Sequence, residues 1–484
     1  MITRARGSHV GDRRRFPRTA GLGRERVIAI VGAGASGTLA AVHLLRRGHT
    51  RVVLVDPGHV GRGVAYSSSD PRHLLNVPAC AMGGLADAPG DFLAWCQARG
   101  VDAQPTDYLP RQLYGSYLQE LLTRFGDRAR LQIVGERVED VVEQHSHGRV
   151  QLRLASGRTV VADAAVLALG NAPPAPLQAL STAPSHVLVN DQWAAQASPG
   201  LRSVGRIVII GSGLSAVDVA LSVASANPAA RLSAVSRHGW LPRAHLPGPR
   251  PQPRALELQP GCSLEQILTV IAREVALRPA AWREVIDGLR PLTVALWQGL
   301  AAHERERFER QLRPYWDIHR HRLAPDVAQQ LRELAAGARL SVHGGGVRSV
   351  RAVRDGGASV ELADGRCLHA DVLVNATGPA RLHGPSSNPL LRKLLANGRA
   401  RPDELSIGLA TSPDGALVDA HGVVSRRCFT LGPPRRGELL ESTAVPEIRQ
   451  QAAALASLLT PTIAQRRRAS SAIRSNATSG FSGS

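Results

Sequence analysis

At 484 residues the chain exceeds what one hydrophobic core usually serves, so two or three domains are expected. Hydrophobic residues at 43% and charged residues at 20% are an ordinary globular balance, and no run reaches the ~18 apolar residues of a membrane span, which argues against a membrane partner. The net charge of +20 could signal nucleic acid, but aromatics are only 4% and much of the arginine excess sits in residues 1–26 and 461–484, so no nucleic-acid partner is expected and the charge is read as attraction for anionic cofactors and substrates.

Residues 1–24 contain Arg13-Arg14-Arg15 without an apolar signal core behind them and are expected to be a disordered leader. The first strand is Val27 to Val31. It runs into Gly32-Ala-Gly34-Ala-Ser36-Gly37, then a helical stretch from Ala35 to Arg47, then a strand from Arg51 to Val55 that ends at Asp56. Strand, glycine turn, helix and strand make a βαβ unit of dinucleotide-binding length. Gly32 allows the tight turn, Gly34 lets the backbone approach a pyrophosphate, and Gly37 lets helix and strand pack closely. Ser36 is a further contact, and Asp56 can accept from ribose hydroxyls.

The unit recurs. Arg206 to Ile210 is a strand, Gly211-Ser-Gly213-Leu-Ser215-Ala216 a turn, Val217 to Ala226 a helix, and Arg231 to Val235 a strand. At its end stand Ser236 and Arg237, with no acid. A hydroxyl and a guanidinium suit a 2′-phosphate, which assigns FAD to the first turn and NADPH to the second; a solvated surface arginine is the alternative reading of Arg237. Two further segments, Asp163 to Asn171 and Asp371 to Gly378, are short buried strands ending in glycine, each behind a hairpin with its turn at Ser156-Gly157 or Asp364-Gly365. They bracket the second unit.

The expected fold is therefore α/β, with two Rossmann-like dinucleotide-binding domains: a FAD-binding domain (25–180 and 371–460) interrupted by an inserted NADPH-binding domain (181–370). Residues 262–336, with Trp282, Trp297, Tyr315 and Trp316, read as a helical subdomain at the substrate entrance. Residues 461–484 read as a disordered tail.

The five cysteines are odd in number and widely spaced, so neither a disulfide framework nor a metal site is indicated, and a reducing, cytoplasmic setting is expected. Cys80 and Cys96 are too far apart for a redox pair beside a flavin, and no H-E-x-x-H or G-x-S-x-G occurs. Cofactor chemistry is the economical reading.

Beyond the turns, the chain carries Gly61-Arg-Gly-Val-Ala-Tyr66, His73-Leu-Leu-Asn-Val-Pro78, Leu109-Pro-Arg-Gln-Leu-Tyr114, Asn375-Ala-Thr-Gly378, Leu431-Gly-Pro-Pro and Thr443-Ala-Val-Pro-Glu447. With these segments, residues 25–458 resemble the bacterial FAD/NAD(P)-binding proteins that include flavin-dependent urate hydroxylases and aspartate N-monooxygenases. The resemblance implies that Arg62 to Tyr66 and His73 to Pro78 lie along the flavin. Asn76 would be the catalytic polar contact, or else a turn residue bonding its own backbone. Arg111 would pair with the FAD pyrophosphate, or else be an exposed helix-start arginine. Gly378, Gly432, Thr443 and Ala444 would complete the cofactor sites, with a helix near Pro446 aimed at the flavin.

The implied activity is an FAD- and NADPH-dependent monooxygenase using O2 to hydroxylate a small polar molecule, at an amino-acid nitrogen or a purine, through a C4a-peroxyflavin. The alternatives are an NADPH reductase feeding a partner, or a catalytically weak dinucleotide-binding protein. Two other clusters stand out: His319-Arg-His-Arg322, as an anion site or a basic surface turn, and Arg243 with His245, which could reach the nicotinamide cleft.

Overall fold

Two parallel sheets organise the chain, and each is covered in the same way. In the computed structural model, residues 25–48, 50–58, 60–144, 146–191, 204–354, 356–381 and 388–460 are described; the expected leader and tail lie outside them.

The first sheet runs, in spatial order, Ala416–Val418, Val424–Thr430, Ala164–Leu167, Arg26–Val31, Thr50–Val55 and Leu131–Val134. Only the pair Ala416–Val418 and Val424–Thr430 is antiparallel. Central strands of a covered parallel sheet bury both faces, so they read as continuous apolar runs, and Ile28, Ala29 and Ile30 are fully buried. Helices Ala35–Arg46, Arg111–Phe125 and Val445–Leu459 pack one face. An antiparallel sheet of Val138–Gln144, Arg149–Leu154 and Thr159–Ala162 packs the other.

The second sheet runs Leu340–His343, Arg231–Val235, Arg206–Ile210, Val372–Asn375 and Leu188–Val189, all parallel. Helices Leu214–Ala226 and Pro325–Ala336 cover one face. The antiparallel strands Val347–Ala352, Ala358–Leu362 and Cys367–Ala370 cover the other.

This layout corrects the expected boundary at residue 371. Val372–Asn375 pairs with Arg206–Ile210 and belongs to the second domain, as Ala164–Leu167 belongs to the first. The two look-alike segments are the same element of two repeated halves. The helical subdomain is also shorter than expected. Its helices run from Leu264–Leu277 to Arg313–Arg320, whereas Pro325–Ala336 lies in the core of the second sheet.

The helical subdomain begins at a capping box, in which Ser263 Oγ accepts from Gln266 N at 3.2 Å and Gln266 Oε1 accepts from Ser263 N at 2.8 Å. Its apolar cluster includes Leu405, Ile407 and Leu440 from beyond the second sheet. It therefore rests on the completed first domain as well as on its own.

Candidate cofactor and substrate sites

At the first turn, Val31, Val55 and Leu167 lie in register, so Gly32, Asp56 and Ala168 meet at one sheet edge. Gly32 has φ 99°, and a Cβ there would stand 2.3 Å from Ala168 O; one on Gly37 would stand 1.8 Å from Gly32 O. Gly34 caps helix Ala35–Arg46 without a side-chain bond, so the first amides of that helix face the turn unspent. The segment after Gly61 crosses this turn: Gly61 N donates to Ala33 O at 2.8 Å, and a Cβ on Gly63 would come within 2.7 Å of Gly34 Cα. Gly432, at φ 76°, returns from the far end of the chain, and a Cβ on it would meet Ser36 Oγ at 2.7 Å. The structure thus gathers Gly32, Gly34, Ser36, Gly37, Asp56 and Gly432. Asp56 braces the turn itself, accepting from Ala33 N and Gly58 N at 2.7 Å each. Ala444 caps helix Val445–Leu459, beside the exposed Thr443. Arg62 lies behind the crossing segment, donating to Gln119 Oε1 at 3.1 Å.

The second turn repeats the geometry. Gly211 has φ 124°, and its Cβ would stand 2.3 Å from Ala376 O. Gly378 follows Ala376 and so belongs with this turn, not with the first domain where the expected boundary put it. Gly213 caps helix Leu214–Ala226, and a Cβ there would meet nothing within 4 Å. Ser215 is in the first turn of that helix. Ser236 is occupied structurally: its Oγ accepts from Ser212 Oγ at 2.8 Å and from Gly239 N at 3.0 Å. Arg237 is exposed at the strand end, and beyond it His238 stacks on Trp240 at 4.5 Å, which meets Tyr315 at 4.7 Å.

Between the domains the structure corrects Arg111. Its Nη1 lies 2.8 Å from Asp218 Oδ2, on the helix of the second domain, and its Nε donates to Leu74 O at 3.2 Å. The guanidinium is spent on the domain junction and is not at the pyrophosphate turn. His73 joins the same junction: Nε2 is 3.1 Å from Asp218 O and 2.7 Å from Ser222 Oγ, and Nδ1 is 2.6 Å from Ser68 Oγ.

Asn76 enters through its backbone. His245 Nε2 lies 3.2 Å from Asn76 O, its shorter contact, and 3.4 Å from Arg250 Nη2. Burial, then Arg322 and Arg250, push the His245 pKa down to about 2, so its ring is neutral. Tyr108 stacks on it at 5.0 Å. His245, in the segment after strand Arg231–Val235, thus meets the first domain at Asn76 and Tyr108.

Both arginines of the 319–322 tetrad are spent on carboxylates of this chain. Arg320 pairs with Glu441, Arg322 with Asp287, and His321 Nε2 lies 3.7 Å from Asp317 Oδ1. Arg320 with Glu441 and Arg290 with Glu447, the latter at 2.6 Å, fasten the helical subdomain to the return segment, while the other two contacts are internal to it. Sequence reading missed Glu441 and Glu447 as partners because their arginines lie more than a hundred residues away.

Residues 29–172 match the FAD-NAD(P)-binding family, 103–244 match the L-lysine 6-monooxygenase/L-ornithine 5-monooxygenase family, and 279–395 match the lycopene cyclase family. The first two matches make residues 29–244 similar to FAD-NAD(P)-binding proteins and to lysine/ornithine monooxygenases. Similar solved structures include the FAD-bound cadaverine monooxygenase of the desferrioxamine pathway from Erwinia amylovora (17% identity, TM-score 0.62, 90% of this chain and 94% of that one). The ornithine N-hydroxylase of Kutzneria sp. 744, with reduced FAD, NADP+ and L-ornithine, is 16% identical with TM-score 0.62, over 92% of this chain and 99% of that one. The L-lysine 6-monooxygenase of Pseudomonas syringae is 17% identical with TM-score 0.61, over 90% and 99%. These likenesses establish the fold. A D-amino-acid oxidase of Bradyrhizobium diazoefficiens is 36% identical over 91 residues, 18% of this chain, and the match spans only 21% of that relative's length. Among the described residues no helix is long and apolar enough to cross a membrane.

Proposed function

We propose that the chain is an FAD- and NADPH-dependent monooxygenase that hydroxylates an amino nitrogen of a small molecule. The observation that carries this is the pair of glycine turns with opposite chemistry at their strand ends: the carboxylate of Asp56 at one, the exposed Arg237 at the other. Gly32, Gly34, Ser36, Gly37, Asp56, Arg62, Gly432, Thr443 and Ala444 would hold FAD. Gly211, Gly213, Ser215, Arg237 and Gly378 would hold NADPH, with Ser236 bracing the strand end behind them. The residues fit: a Cβ on Gly213 would stand in the open space before its helix, and both helix starts lack a side-chain cap.

FAD, when bound, supplies the redox chemistry with NADPH and O2. The balance is R–NH2 + O2 + NADPH + H+ giving R–NHOH + H2O + NADP+. The chain's own residues position and shield. The half-buried Asn76 side chain is the polar group for the reacting end, on a backbone fixed by His245. Of the two expected substrate classes, an amino-acid nitrogen and a purine, the match at 103–244 favours the amino nitrogen.

The test is anaerobic mixing of the FAD-loaded protein with NADPH and with NADH, followed by aerobic turnover with candidate amines. Flavin bleaching faster with NADPH than with NADH, and hydroxylamine product, are expected. Absence of bleaching with either donor would overturn the reading.

A further inference from the structure

Helices Leu264–Leu277, Trp282–Leu289, Thr293–Gly299 and Arg313–Arg320 surround a cavity of about 490 Å3. Its wall is hydrocarbon and aromatic, carried by Ile271, Val275, Trp282, Trp297 and Phe308, and no Asp, Glu, Lys or Arg lines it. The volume is that of a small-molecule site, ~300–1,000 Å3. A charged group has no partner inside and would not enter.

Its position ties it to both cofactor turns. On one side the wall includes Tyr315, which meets Trp240 at 4.7 Å beyond the strand end of the second turn. On another it includes Leu440, two residues before Ser442, whose carbonyl lies beside Gly432 and hence beside Ser36 of the first turn.

Leu440 is itself unusual. It has φ 57° and ψ −53°, and Glu441 N donates back to Leu439 O at 2.6 Å. This is the rare, strained form of the γ-turn, kept where the surroundings demand it. It sets the Leu440 side chain in the cavity wall and leaves Glu441 and Ser442 behind it. Those two are 8% and 0% exposed; the Glu441 carboxylate is already paired with Arg320 through Oε2, while Glu441 Oε1 and Ser442 Oγ have no hydrogen-bond partner. Buried oxygens of this kind are costly unless something pairs with them.

We propose that this cavity is the substrate chamber, and that the substrate is an amine with an extended hydrocarbon body, its apolar part in the cavity and its amino group outside the hydrocarbon walls. This rests on the hydroxylase reading and narrows its substrate class. Diamines and amino acids with a second charged end would leave that end unpaired among the apolar walls.

The test is calorimetric titration of the FAD-loaded full chain with n-butylamine, n-hexylamine, n-octylamine and L-ornithine. Affinity should rise about fourfold per added methylene, the effect of moving one CH2 out of water. Octylamine should then bind roughly 250-fold tighter than butylamine, and tighter than ornithine. Ile271→Trp, which fills the cavity, should weaken octylamine at least tenfold while NADPH still reduces the flavin at the unaltered rate. Val275→Phe is the second variant, read in the same way should the first fail to retain FAD. A flat chain-length series, ornithine binding tighter than octylamine, or normal octylamine affinity in a filled variant with intact flavin reduction would overturn the proposal. Chain-length dependence without any hydroxylamine would sink the hydroxylase reading and leave the chamber standing; hydroxylated ornithine with a flat series would do the reverse.

Discussion

Arg111 and Asp218 join the two domains through a buried ion pair of 2.8 Å, with side-chain exposures of 15% and 8%. Burial raises the Asp218 carboxyl above its ordinary range, with Arg111 and His73 opposing. Removing one partner of such a pair leaves an uncompensated charge and costs about 3–5 kcal/mol. Arg111→Met should therefore lower the thermal midpoint sharply, and Arg111→Met with Asp218→Leu should recover most of the loss. The sign with pH follows from the carboxyl. Its folded pKa lies above the unfolded one and rises further without Arg111, so its contribution is favourable in acid and is lost as pH rises. The deficit of Arg111→Met relative to wild type should be larger at pH 8 than at pH 5. An equal deficit at both would show that Asp218 is not the group left behind.

His245 gives the opposite slope. Its folded pKa is held at about 2, below the ordinary 6.5, so the unfolded chain takes up a proton that the folded chain refuses. The stability from this residue is complete above about pH 6.5 and falls below it by about 1.4 kcal/mol per pH unit. In His245→Gln, which can donate to Asn76 O, denaturation between pH 6.5 and 4.5 should depend less on pH by that amount. An unchanged slope would mean that the ring is protonated in place.

Arg237 is exposed and stands at the end of the second domain's strand. A guanidinium on a 2′-phosphate contributes about 1.5–3 kcal/mol, or roughly 10–150-fold in affinity. Arg237→Leu should raise the KM for NADPH by that factor and leave the KM for NADH alone. Equal change for both donors would remove Arg237 from phosphate recognition.

Gly211 and Gly213 separate folding from binding. A methyl at Gly211 meets φ 124° and Ala376 O at 2.3 Å, so Gly211→Ala should unfold or weaken the domain. A methyl at Gly213 meets nothing within 4 Å at φ −79°. Gly213→Ala should keep stability within about 0.5 kcal/mol, retain flavin, and yet lose at least tenfold in NADPH affinity, because the methyl occupies the pyrophosphate approach. Unchanged NADPH affinity would place the nucleotide elsewhere.

The parts of this molecule that were legible in its sequence are those fixed by local chemistry. Both glycine turns are written in residues whose backbone conformation or contacts admit little else, as Gly32 and Gly211 show. The resemblance of Asp163–Asn171 to Asp371–Gly378 was visible too, but its meaning was not. Strand partnership is a non-local choice, and only pairing with Arg206–Ile210 reveals which sheet Val372–Asn375 enters. Arg111 was misplaced for a similar reason: its acid lies 107 positions onward, on another domain. The γ-turn at Leu440 has no glycine to announce it, because packing imposes it.

The strand Val424–Thr430 pairs with Ala164–Leu167, and roughly 250 residues separate them in the chain. During synthesis at about 5–20 residues per second, the first sheet must wait on the order of ten to fifty seconds with that edge bare. The second sheet, in contrast, has all its strands once residue 375 has emerged. The half that begins first is finished last, and the half in the middle is whole before it. A ribosome-stalled chain ending near residue 420 should accordingly present a protease-resistant second domain beside a first domain still open to cleavage.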